Sequence, residues 1–176
     1  MEKQKSLFSN ALMYGLYVGL AFIIIFLLYY IFDVNIFKPA FGIVNLLVTM
    51  AVFIIGMVIA VKAYRDKYNG NVISFGQAFL SGLIMGIVAY LINALFSYLF
   101  FAYIEPGMLE QYIDKFAEMM SGQGLPEDQL NAILDRMESR MTPLKQLSSG
   151  LISGAVISLI VSLIVAAAVK KENYQE

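Results

Sequence analysis

Residues 146–169 read QLSSGLISGAVISLIVSLIVAAAV, 24 positions without a charge. A helix rises about 1.5 Å per residue, so about 20 apolar residues cross a hydrocarbon core of about 30 Å. This stretch is long enough to do so. Three more uncharged stretches pass the same test: residues 6–32 (27 positions), 39–61 (23 positions) and 68–104 (37 positions). The last begins with YNGNVIS at 68–74, which is polar and turn-like, so its helix is expected from near Ser74 or Phe75. The sequence therefore predicts an all-α membrane protein with four transmembrane helices, at about 10–32, 40–61, 76–102 and 147–169. All belong to one integral membrane domain spanning 1–176.

Composition agrees. The 176 residues are 60% hydrophobic and 14% charged, with a mean hydropathy of +0.73; a soluble domain runs about 45–50% apolar and about 25% charged. Twelve Lys/Arg against 13 Asp/Glu leave a net charge of −1, which excludes a polybasic nucleic-acid binder. Cys and His are absent. That excludes a disulfide framework, a zinc or thiolate site, c-type haem attachment and any Cys/His nucleophile–base pair. There is no phosphate-binding loop, GxSxG elbow, HExxH or dinucleotide fingerprint. No cofactor is expected, and no enzymatic activity.

The basic lead Lys3 and Lys5 before the first apolar run resembles a signal sequence, but 27 uncharged residues exceed the usual core of about 7–15 and no A-x-A-like site follows. An uncleaved first helix is expected. Four crossings divide the cations. Lys3, Lys5, Lys62, Arg65, Lys67, Lys170 and Lys171 fall on one side; Lys38, Lys115, Arg136, Arg140 and Lys145 fall on the other. The tight KAYRDK loop makes the first side the cytoplasmic one, with both termini there.

Between the third and fourth spans lies the one long polar segment. Leu109, Tyr112, Ile113, Phe116, Met119 and Met120 recur at helical spacing. After the glycine turn at 121–124, Pro126 with Glu127 and Asp128 marks a second helix start, and Leu130, Ile133, Leu134, Met137 and Met141 form its stripe. This predicts an amphipathic helical hairpin at about 106–142, free to fold on itself, lie on the membrane or dock on a partner. The eight acids of the whole segment 105–145 read as solvated faces and first-turn acids, and the hairpin's methionines as packing residues rather than copper ligands.

Small residues recur every four positions: Ala11, Gly15 and Gly19; Ala78, Gly82 and Gly86; Gly150, Gly154, Ser158, Ser162 and Ala166. In lipid, such stripes let backbones approach closely. Gly15, Gly19, Gly82, Gly86, Gly150, Gly154, Ser158 and Ser162 are therefore expected to pack helices, within the bundle or against another protein. Asn45 with Thr49, and Asn93 with Ser97, are each one turn apart and form a candidate polar membrane face; hydrogen bonding between helices is the plainer use, a solute path the sharper one. No Asp, Glu, Lys, Arg or His lies within any span, against a proton-coupled pump. A shift of 67 residues sets Phe8, Ala11, Gly15, Leu16, Gly19, Ile25, Leu28 and Pro39 on identical residues. An ancient two-helix repeat would do this; so would chance, since membrane helices draw on few residue types.

YRDKY at 64–68, Gly70 and ISFGQAF at 73–79, with YIEP at 103–106, resemble the bacterial membrane-protein family called domain of unknown function 4199, common among Bacteroidetes. The resemblance implies a small integral membrane protein of four helices and no known activity or catalytic residues; the expected location is the bacterial inner membrane. The same motif has a physical reading as a re-entry turn, with Ser74 and Gln77 at capping-box spacing. The expected function is a non-enzymatic scaffold or accessory subunit, working through helix packing and its acidic hairpin. The bilayer and a homo-oligomer or membrane-protein partner are the expected contacts, without nucleic acid. A small-solute transporter or channel, oligomeric, is the alternative.

Overall fold

The four uncharged stretches are four long helices in a computed structural model, which describes residues 6–34, 39–122 and 126–171. Helix α1 is Leu7–Ile31, α2 is Pro39–Tyr68 and α3 is Phe75–Leu99, running on into a π-helical turn at Phe100–Ile104. Two shorter helices follow, α4 (Met108–Ser121) and α5 (Glu127–Arg140), and then α6 (Pro143–Val169). The long helices are apolar enough to cross a membrane, and the protein is a membrane-spanning helical bundle. The π turn lets Glu105 N–H reach back to Phe100 O at 2.8 Å, which pairs that donor where α3 leaves the bundle.

Local chemistry sets the boundaries. Ser6 Oγ accepts from Ser9 N–H at the start of α1, and Thr142 Oγ1 from Lys145 N–H at the start of α6. Pro143 occupies the first turn of α6, where its missing N–H costs nothing. This helix begins four residues before its expected span. Helix α2 runs on through KAYRDKY to Tyr68, well past its last uncharged residue. Between α4 and α5, the two contact each other, and the glycine turn expected at their junction lies partly outside the described residues. Pro126 sits at the N-cap of α5, with Glu127 and Asp128 in the first turn.

Helix α3 lies between α1 and α6, and α2 packs less extensively against all three. Glycines set how closely they approach. A Cβ at Gly15 would lie 2.7 Å from Val88 Cβ and 2.8 Å from Met85 O; one at Gly19 would lie 2.9 Å from Ile92 Cβ. A Cβ at Gly82 would meet Met57 and Ser162, and one at Gly86 would meet Ser158 and Phe53. The core behind these contacts includes Ala11, Phe22, Phe53, Met57, Met85 and Val165. Helices α1 and α3 have equal length, but Gly15 and Gly19 meet α3 while Gly82 and Gly86 meet α2 and α6. The residues paired by the 67-residue shift thus sit in different surroundings.

The first and last described residues share one end of the bundle. Asn10 Nδ2 donates to Ala60 O at 2.9 Å, and Ile73 and Lys171 exchange two backbone hydrogen bonds. At the opposite end, Phe100, Phe101, Met108 and Leu109 are buried together against Phe26 and Phe96, seating the start of α4 on α1 and α3.

Candidate functional site

In the outer half of α2 – the half nearest α4 – one face is turned inward. Phe41, Ile43, Val44, Leu46 and Leu47 are exposed, as lipid-facing side chains are, while Asn45 and Thr49 are half-buried. They look across at Asn93 and Ser97 of α3. All four residues of the candidate polar face line one cavity of about 420 Å³. Phe22, Ile25, Phe26 and Tyr29 of α1 form one wall, Tyr90 and Phe101 extend the α3 side, and Gln146 enters from α6. Leu109 and Tyr112 of α4, with Met141 between α5 and α6, form the roof.

The chemistry of the lining is neutral. Among the described residues, no Asp, Glu, Lys or Arg contributes to it. Thr49 Oγ1 donates back to Asn45 O at 2.7 Å, which spends its proton and leaves its lone pairs available. The side chains of Asn45, Asn93, Ser97 and Gln146 have no hydrogen-bond partner among the described residues. Two amides, a second pair of hydroxyl lone pairs and a glutamine therefore converge on a space walled by rings, which is the usual make-up of a small-molecule site. Tyr112 and Met141 were expected only as packing residues of the hairpin, and Gln146 was not singled out at all. Gln146 is the polar first residue of the fourth uncharged stretch, and that position was the available signal.

Polar contacts between ends of helices border the roof. Lys115 Nζ of α4 lies 3.0 Å from Asp33 Oδ1, just past α1, and Tyr30 donates its hydroxyl to Glu105 Oε2 at 3.2 Å. Burial, and next the nearby Asp33 carboxylate, push the Tyr112 phenol above its ordinary pKa, so it stays protonated.

The cavity's inner end meets a knot of rings. Phe22, Phe53 and Tyr90 have centroids 5.2 to 6.2 Å apart. Tyr90 fits because position 154 is glycine: a Cβ there would lie 2.4 Å from Tyr90 Cγ. Gly150, one turn away, is looser, with its Cβ position 3.5 Å from Ala94 Cβ. Ser158 and Ser162 are fully buried beyond the knot, as are Ser81 and Asn10, which the sequence reading passed over.

At the far end, the YRDK…G…ISFGQAF residues form a clasp. Gly70 and Asn71 take φ of +63° and +65°, and Asn71 N–H returns to Arg65 O at 3.0 Å, which closes α2. Ser74 and Gln77 make the capping box expected of them: Gln77 N–H donates to Ser74 Oγ at 3.3 Å and Ser74 N–H to Gln77 Oε1 at 3.1 Å. Arg65 pairs with Asp66 at 2.6 Å and donates to Val169 O at 3.2 Å, tying α2 to the last turn of α6. The motif is thus spent on holding three helix ends.

A family model described as "Protein of unknown function (DUF4199)" matches residues 13–171. The chain belongs to the DUF4199 family. The match takes in the clasp, the cavity, three of the four long apolar helices entire and α1 from residue 13 onward in this DUF4199 protein. No curated protein matches the chain, and no solved structure does.

Proposed function

We propose that this DUF4199 protein takes small uncharged polar molecules into its cavity and acts as a small-solute transporter. One observation carries the reading: Asn45, Thr49, Asn93 and Ser97, from two helices, converge on a single cavity with the Asn45, Asn93 and Ser97 side chains unpartnered among the described residues. Side chains used only to join helices would bond to each other. Saturation-transfer NMR in detergent, with glycerol and acetamide as probes, tests it. Transfer to one or both is expected in the wild type and is lost in Asn45→Leu with Asn93→Leu. Undiminished transfer in the double variant would sink the reading.

A specific feature keeps the scaffold or accessory-subunit reading in view. Helix α5 has no buried residue, although Leu130, Ile133, Leu134 and Met137 share one stripe. In that reading the α4–α5 pair is an amphipathic hairpin whose stripe receives a membrane-protein partner or a second copy. Against it, most of the small residues, Gly15, Gly19, Gly82, Gly86 and Gly154, are already occupied by contacts inside this chain. Cross-linking in the native membrane that captures only the single chain would count against scaffolding. The clasp end belongs in the cytoplasm of the bacterial inner membrane on the cation count. An impermeant thiol reagent on whole cells or spheroplasts should then reach a Cys at Gly122 and not one at Asn69.

A further inference from the structure

The cavity stops at Phe22, Phe53 and Tyr90, but polar side chains continue behind them. Ser158 of α6 is fully buried, and its hydroxyl has no hydrogen-bond partner among the described residues. It lies against Gly86, whose Cβ would come within 2.4 Å of Ser158 Oγ, and the Phe53 ring borders the same point. One turn further along α6, Ser162 lies against Gly82, also fully buried; its hydroxyl donates back to Leu159 O at 3.0 Å. Ser81, beside Gly82 on α3, is fully buried with an unpartnered hydroxyl. Nearer the clasp, Asn10 gives its amide N–H to Ala60 O and leaves Oδ1 without a partner.

A buried polar atom left unpaired is destabilising, and a bilayer offers it no water. Alanine would fill each of these serine positions without that penalty. Instead, polar groups occupy successive levels from the ring knot to the opposite end of the bundle. The volume around them is filled by Met57 and Met85, both fully buried. Methionine is unbranched and flexible, so room can open by side-chain rotation without parting the helices.

We infer that the cavity is the open half of a passage for small uncharged polar solutes, with the Phe22–Phe53–Tyr90 knot as its inner gate and the Arg65 clasp as its far seal. This rests on the transporter reading above and deepens it by naming the route, the gate and the seal. The serine hydroxyls and Asn10 Oδ1 would take up in turn the hydrogen bonds that a polyol or primary amide gives up in leaving water. Among the described residues named along this line, an ion would find no charge before the Arg65–Asp66 pair of the clasp.

Full-length protein in liposomes, followed by light scattering after osmotic challenge, tests the inference with glycerol, acetamide and potassium chloride. Phe53→Ala should raise glycerol or acetamide uptake on the order of tenfold over the wild type, with potassium chloride still excluded. Adding Ser158→Leu should return uptake to the wild-type level. Phe22→Ala serves if Phe53→Ala does not fold, judged by its elution and circular-dichroism melt. Folded gate variants no more permeable than empty liposomes would overturn the passage; Asn45- and Asn93-dependent probe binding would then still stand by itself. Uptake of potassium chloride as fast as glycerol would overturn it too, as a general leak. Absence of both uptake and probe binding would remove the cavity reading with it.

Discussion

Replacing Gly150 and Gly154 by Ala, four residues apart on one face of α6, should move stability in opposite directions. A Cβ at 154 would lie 2.4 Å from Tyr90 Cγ and 2.5 Å from Tyr90 Cβ. The second distance decides the matter, because Tyr90 Cβ is fixed to the α3 backbone and no rotamer change withdraws it. Helices α3 and α6 must separate by up to about 1 Å. Overpacking of this kind costs about 1–3 kcal/mol, and exchange of glycine for alanine in a helix returns about 1 kcal/mol. The balance for Gly154→Ala is a loss of about 0–2 kcal/mol. At Gly150 the new Cβ would sit 3.5 Å from Ala94 Cβ, an ordinary contact. Only the propensity gain of about 1 kcal/mol remains there. The two variants should differ by about 1–3 kcal/mol, or about 2–12 °C at about 2–4 °C per kcal/mol for a chain this size. With no Trp and no Cys in the chain, far-UV circular dichroism in nonionic detergent is the natural melt. Gly76→Ala, whose Cβ would meet nothing within 4 Å, serves as the control and should be neutral or stabilising. A Gly154→Ala melt at or above that of Gly150→Ala would refute glycine-set spacing of α3 and α6.

Smaller perturbations test the other contacts. Ser74→Ala removes the N-cap acceptor of α3 and should cost about 1 kcal/mol in the same melt; no loss would mean the capping box is incidental. Arg65→Gln should speed amide exchange at Ile73 and Lys171 and leave the middle of α1 unchanged, since the Arg65–Val169 bond holds α6 near that bridge. Unchanged protection at both amides would separate the clasp from α6. Asp33→Asn should leave the melt where it is: the carboxylate is 88% exposed in its pair with Lys115, pairs of this kind contribute little, and asparagine tolerates the φ of +44° at this position. A shift of several degrees would mean that α4 hangs on that pair.

Four spans were legible because charge is excluded from hydrocarbon, and the gaps between charges mark its thickness. Helix ends were less legible for the same reason. KAYRDKY ends the apolar run, yet α2 continues to Tyr68, because helical hydrogen bonds form in water as well; Gly70 and Asn71 are what stop the chain. The π turn after Leu99 has no counterpart in an apolar run that reads alike throughout. In the site, Asn45/Thr49 and Asn93/Ser97 stood out as polar pairs at helical spacing. That they share one cavity depends on how α1, α2, α3 and α6 pack together, a matter of contacts among several helices at once. Ser81 and Asn10 were missed because a serine in a membrane helix usually bonds back to its own helix, as Ser162 does, and nothing in the sequence says which ones do not.

The charge distribution narrows what the cavity could take. Residues 105–145, part of which roofs it, carry eight acids and four bases, so anions are repelled at the roof. Cations are drawn there, but the described residues inside offer only amides, hydroxyls, rings and apolar side chains, with no carboxylate among them to offset the loss of hydration, which for a bare charge at membrane depth is several kcal/mol. A neutral molecule faces neither obstacle. It needs only partners for its own donors and acceptors, and Asn45, Asn93, Ser97 and Gln146 offer both kinds. Exchanging Asn93 for Asp tests that logic directly: one carboxylate in this lining should draw a cation into the cavity and weaken acetamide binding. A variant that binds acetamide as before would show that the neutrality of the lining is not what selects its ligand.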